Sequence, residues 1–136
     1  MNLLIVVIND EELLDELITG WLDLGVTGAT VIESTDSLQY ISHHVPIFAG
    51  FRSLASGGMR HNKTIFTVIE TPGILDEAVA FLEALCRKAG TPHQGVYFVI
   101  SLDQFNRLGR EIDDGEQQRR MEKKIGRPIK AKHEHN

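Results

Sequence analysis

A strand-then-helix unit occurs twice in this chain, and an unusually long connection separates the two occurrences. Residues 3–8 (LLIVVI) are an unbroken apolar run of strand length, which reads as a strand buried on both faces. Asn9 then offers a helix N-cap, with Glu12 three residues on to close a capping box. Leu13, Leu14, Leu17, Ile18, Trp21 and Leu22 recur in pairs four apart, one stripe of an amphipathic helix that Gly25 can end. The second unit begins with 64–70 (TIFTVIE), a strand rich in β-branched residues. Thr71 and Pro72 follow as N-cap and first-turn proline. Ile74, Leu75, Ala78, Val79, Leu82, Leu85 and Cys86 make its apolar stripe, closed by Gly90. Each unit leads into a further strand, 28–34 (GATVIES) and 95–100 (GVYFVI). The predicted order is β-α-β, long loop, β-α-β. Such a chain is α+β, a ferredoxin-like βαββαβ sandwich whose four-stranded antiparallel sheet carries two helices on one face.

The connection between strands 2 and 3, residues 36–62, is far longer than compact domains usually tolerate without a function. It is not composed like a flexible linker, because it holds Ile41, Val45, Ile47, Phe48, Phe51 and Leu54. Free exposure of that much apolar surface costs about 25 cal/mol per Å². Residues 46–54 are therefore expected to dock on their own assembly or be covered by a partner, with motion concentrated at Ser56 to Met59. A short helix is expected within 37–44. The chain divides into a domain at 1–110 and a charged, mobile end at 111–136.

Charge follows that division. Residues 1–106 carry five Lys or Arg against 13 Asp or Glu, a net −8, whereas 107–136 carry nine against six, a net +3. An acidic body argues against nucleic acid as a partner, since phosphate binding needs a positive surface. A chain of 136 residues builds a core without staples, and its single cysteine, Cys86, excludes an internal disulfide. No apolar run approaches the roughly 20 residues of a membrane span. Cytoplasmic residence without membrane insertion is the expectation.

Three local segments carry a resemblance. LGVTGATVIES (24–34), AGTPHQGVYFV (89–99) and the Asp103-Gln104 pair followed by Arg107 occur in one order along a short chain. Together they resemble the PII family of nitrogen-regulatory signalling proteins over about residues 1–110. The resemblance implies a homotrimer with an adenine nucleotide as effector in clefts between subunits, and no covalent cofactor. It implies Thr30 as an adenine contact, Gly90 and Gly95 as shapers of a phosphate turn, and Arg107 as a phosphate-side charge. It also implies that loop 36–62 contacts a target enzyme, transporter or regulator, in nitrogen or carbon metabolism. This chain departs from the pattern at His93-Gln94-Gly95-Val96, where the family carries a lysine in a Gly-Asp-Gly-Lys turn. A less charged nucleotide, a cyclic nucleotide or another anion then fits better than a triphosphate. Phe48 lies where many members have a modifiable tyrosine, and it has no hydroxyl to modify.

Other residues invite chemistry that their settings do not complete. His43, His44 and His61 in the loop are the one support for the alternative, a metal-binding trimer resembling the CutA proteins. No cysteine or spaced carboxylate finishes such a site, so no metal is expected. Cys86 sits on a core stripe, and Ser53 and Ser56 follow no strand that would form a nucleophile elbow. No catalytic constellation is present in the sequence, which favours a binding protein over an enzyme.

Overall fold

A computed structural model of the chain describes residues 1–37, 40–41, 61–109 and 114–129. Its elements are β1 (Asn2–Ile8), α1 (Glu11–Asp23), β2 (Thr30–Ser34), β3 (Asn62–Ile69), α2 (Pro72–Ala89), β4 (Gly95–Ser101) and α3 (Asp114–Ile125). The four strands form one antiparallel sheet in the order β2-β3-β1-β4. The first six elements thus make the expected ferredoxin-like sandwich. The expected loop docking at 46–54, with Ile47, Phe48, Phe51 and Leu54, lies outside the described residues, as do His43, His44, Gly57, Gly58 and most of the expected helix at 37–44.

Alternation sorts the sheet into two faces. Leu4, Val6 and Ile8 of β1 and Ile65, Thr67 and Ile69 of β3 are buried beneath the helices. Leu13, Leu17 and Trp21 from α1, with Ala78, Leu82 and Leu85 from α2, complete that core. The helices meet closely because Gly20 has no side chain; a Cβ there would lie 2.1 Å from the ring of Phe81. Trp21 fastens the contact by donating its indole N–H to the Ala78 carbonyl at 3.1 Å. Gly25 and Gly90 end their helices at φ 95° and 69°, as the sequence suggests.

Two expectations need correction. The N-cap of α1 is Asp10, whose carboxylate accepts from the Glu12 N–H at 2.9 Å. Asn9 instead pins the turn before β4, with its amide donating to the His93 carbonyl at 2.7 Å and its backbone N–H to that of Gln94 at 3.0 Å. A tertiary bond has taken the residue that local pattern assigned to a cap. Nor is β1 buried on both faces, since Leu3, Ile5 and Val7 are only half-buried.

The segment after β4 also folds. α3 ends at Gly126 (φ 74°), and beyond it Arg127 donates to the Asp23 carboxylate at 2.9 Å. Ile129 is buried, and its N–H donates to Glu122 at 3.0 Å. This helix and its anchorage on α1 lie within residues 111–136, where the charge pattern alone suggests a mobile end.

Candidate functional site

The site candidates occupy opposite ends of the sheet. Gly95 pairs with Ile8 at one end of β1, while Ser101 and Ile69 both pair with Asn2 at the other. Seven strand residues separate these ends by about 20 Å. Gly90 and Gly95 flank the first end, and Arg107 belongs to the second, where it donates to Glu70 at 2.8 Å.

Gly95 is required by the fold itself. Its φ is 150°, and a Cβ there would lie 1.9 Å from the Val7 carbonyl oxygen. The glycine lets β4 begin against β1, whatever else the turn does. Gly95 also lines a cleft of about 350 Å³ between α2 and the start of β4, with Cys86, Arg87, Thr91 and His93 on its walls. Partial burial pushes the Cys86 thiol up, which keeps it protonated and unreactive near neutrality.

A second cleft, of about 390 Å³, lies at the Arg107 end. β3 creates it by outrunning its neighbour. β2 begins at Thr30, opposite Phe66, so residues 67–69 are paired only on the β1 side. Their other edge faces the turn 25–28 across the cleft, without backbone partners among the described residues. Thr67 is 2% exposed, lines this cleft and has no side-chain hydrogen bond among the described residues. An unpaired strand edge beside a buried hydroxyl is a row of donors and acceptors awaiting a partner.

The rest of the wall is mixed. Arg107 carries Phe105 beneath it, with the guanidinium 5.0 Å from the ring centre. Glu70 and Thr71 stand at the end of β3, and Gln117 and Met121 of α3 close the outer side. Thr71 occupies the N-cap position of α2 but makes no capping bond with its side chain. The cleft therefore offers apolar side chains such as Val26, Ile74 and Phe105, backbone hydrogen-bonding groups and one guanidinium held by a carboxylate. Gly28 lines it; Thr30, two residues on, is exposed at the start of β2 and lies outside it.

Of the four residues that the resemblance proposes, only Arg107 stands in this cleft, and Gly90 and Gly95 stand far from it within one chain. Thr67, Glu70, Phe105, Gln117 and Met121 were not singled out by sequence. For Gln117 and Met121 a signal existed, since they lie four apart in a helix-forming stretch. Among the described residues no cluster of three or more His, Cys, Asp or Glu is poised for a metal ion. No helix among them is long and apolar enough to cross a membrane. No known family's sequence model matches this chain, and no curated protein matches it.

Proposed function

We propose that the protein is a PII-like regulatory protein, a cytoplasmic homotrimer that senses an adenine nucleotide between its subunits and signals to a target through loop 36–62. The observation that carries this reading is the sheet face opposite the helices. Leu3, Ile5 and Val7 of β1, Phe66 and Val68 of β3, Val96, Phe98 and Ile100 of β4 and Ile32 of β2 share that face by register. Val96 is 62% exposed and Phe98 46%. Four strands about 4.8 Å apart and about 20 Å long give it roughly 400 Å², comparable to the largest apolar patch on an ordinary monomer, a patch that is often functional. No Lys or Arg stands among these positions, so the face suits other protein rather than nucleic acid.

Assembly through this face gives the separated half-sites a use. The cleft beside Thr67 receives the base, whose hydrogen-bonding edge matches an unpaired strand edge, and Arg107 at its rim supplies charge toward the phosphates. The phosphates then point to the Gly90–Gly95 turn of a neighbouring copy. Without a lysine in that turn, AMP, ADP or a cyclic nucleotide is favoured over ATP. Binding and signalling of this kind require no catalytic acid or base. Switching follows if the ligand contacts one arrangement of the loop better than another.

The reading is tested by sedimentation of the full chain together with titration calorimetry against ATP, ADP, AMP, cyclic AMP and 2-oxoglutarate. A trimer that binds at least one nucleotide saturably supports it. A monomer, or a trimer that binds none of them, rejects it. Zinc or copper bound tightly in their place favours the CutA-like alternative.

A further inference from the structure

We propose that α3 is a movable wall of the Thr67–Arg107 cleft, coupled to its ligand, so that a nucleotide seated there fastens the basic end of the chain onto the domain. The proposal rests on the functional reading above and concerns the regulation of that site. Among the described residues α3 makes at most marginal contact with any other helix or strand. Among the described residues, its bonds to the rest of the domain lie beyond its last turn. There Arg127 donates to Asp23 at 2.9 Å and to the Thr19 carbonyl at 3.4 Å, and Ile129 is buried. A polar helix of 12 residues is marginal alone, so its docked state depends on these few bonds and on what it covers.

What it covers is the cleft. Gln117 and Met121, four apart and so on one face, line the cleft on its outer side. The cleft measures about 390 Å³ with α3 in place, so the helix completes the site rather than filling it. A planar base between β3 and α3 would lie against Met121 and within reach of the Gln117 amide. Those contacts exist only when α3 is docked. Ligand and docked helix therefore stabilise each other, and the coupling must be equal in both directions. Arg119, Lys123 and Lys124 are exposed on the same helix, so occupancy of the cleft fixes the position of a positive surface.

Hydrogen exchange and calorimetry on the full chain test this, with AMP and ADP as probes. Arg127 touches neither cleft wall, so Arg127→Glu releases the anchor without altering the site. The expected results are faster exchange at 116–125, weaker nucleotide affinity by about tenfold, and slower exchange at 116–125 when the wild-type protein is saturated. Asp23→Arg combined with Arg127→Glu restores the pair with reversed charge and recovers the affinity. Unchanged affinity in a folded Arg127→Glu protein, or tighter binding, overturns the proposal, as does α3 exchange that ignores saturating ligand. If the wild type binds no nucleotide, the functional reading fails separately. Exchange at 25–28 and 67–71 then judges the wall alone: acceleration in Arg127→Glu supports it and no change overturns it.

Discussion

Replacing Gly95 with alanine separates what the turn before β4 owes to folding from what it owes to a ligand. The added Cβ would lie 1.9 Å from the Val7 carbonyl oxygen and 3.0 Å from its carbon, both backbone atoms that cannot rotate away. The start of β4 must therefore move by more than 1 Å, on the order of the overlap with an ordinary van der Waals contact. Two ladder hydrogen bonds near the Ile8–Gly95 and Val7–Val96 pairs are exposed to loss, at about 1 kcal/mol each. An L side chain held at φ 150° adds strain of about 1–3 kcal/mol. The expected destabilisation is about 3–5 kcal/mol, or roughly 12–20 °C in Tm for a domain this size. Urea and thermal unfolding of Gly95→Ala measure it, with Gly73→Ala as control. A Cβ at Gly73 meets nothing within 4 Å in the first turn of α2, so that change should be neutral or stabilising by up to about 1 kcal/mol. Gly95→Ala within about 0.5 kcal/mol of the parent would refute the steric argument. A large loss would mean that reduced ligand binding in any Gly95 variant reports on the strand first.

Other consequences can be checked independently. Trp21→Phe removes the indole donor to the buried Ala78 carbonyl and should cost about 1–3 kcal/mol in urea denaturation; a neutral result would mean that bond contributes nothing. Phe98→Glu places a charge on the open sheet face at a half-exposed position, so it should yield folded monomers by sedimentation; intact trimers would exclude this face as the interface. Lys63 pairs with Glu33 and Glu11, which holds the Glu33 carboxyl below its ordinary range and the Lys63 ammonium above its own. The Glu33 contribution is present above about pH 4.5 and lost as pH falls through the depressed value; that of Lys63 is present below about 10.5 and lost as pH rises through the raised one. Lys63→Met should flatten the stability profile at both ends, and an unchanged acid limb would show that the pair is inert.

The sandwich was legible because each element carries its own period and punctuation. The helix stripes around Trp21 and Ala78 and the stops at Gly25 and Gly90 are local signals, and local signals survive folding. Asn9 and Asp10 mark where they fail. Both can cap a helix, and a contact with His93, 84 residues away, decides which one does. The cleft was illegible for a related reason. Sequence starts the second strand at 28, which would pair β3 as far as residue 68; its actual start at Thr30 leaves that edge open. Thr67 then changes from a sheet residue into the lining of a site. α3 was overlooked because Met121 and Ile125 are too few to make an apolar stripe, and its two fastenings, Arg127 and Ile129, act on partners that no spacing announces.

A subunit-mixing titration tests the central claim, a nucleotide site shared between copies, most directly. His93→Asp puts a carboxylate in the turn at a left-handed position that Asp tolerates (φ 53°), and Arg107→Ala removes the cation from the opposite cleft. Each variant alone should lose nucleotide binding while remaining folded and trimeric. When equal amounts are dissociated and reassembled together, about a quarter of the sites in randomly mixed trimers combine two intact halves. Calorimetry should therefore recover binding at about a quarter of the wild-type stoichiometry, with wild-type affinity. Mixed trimers that recover no binding would contradict a shared site, and so would a single variant that binds as tightly as the parent.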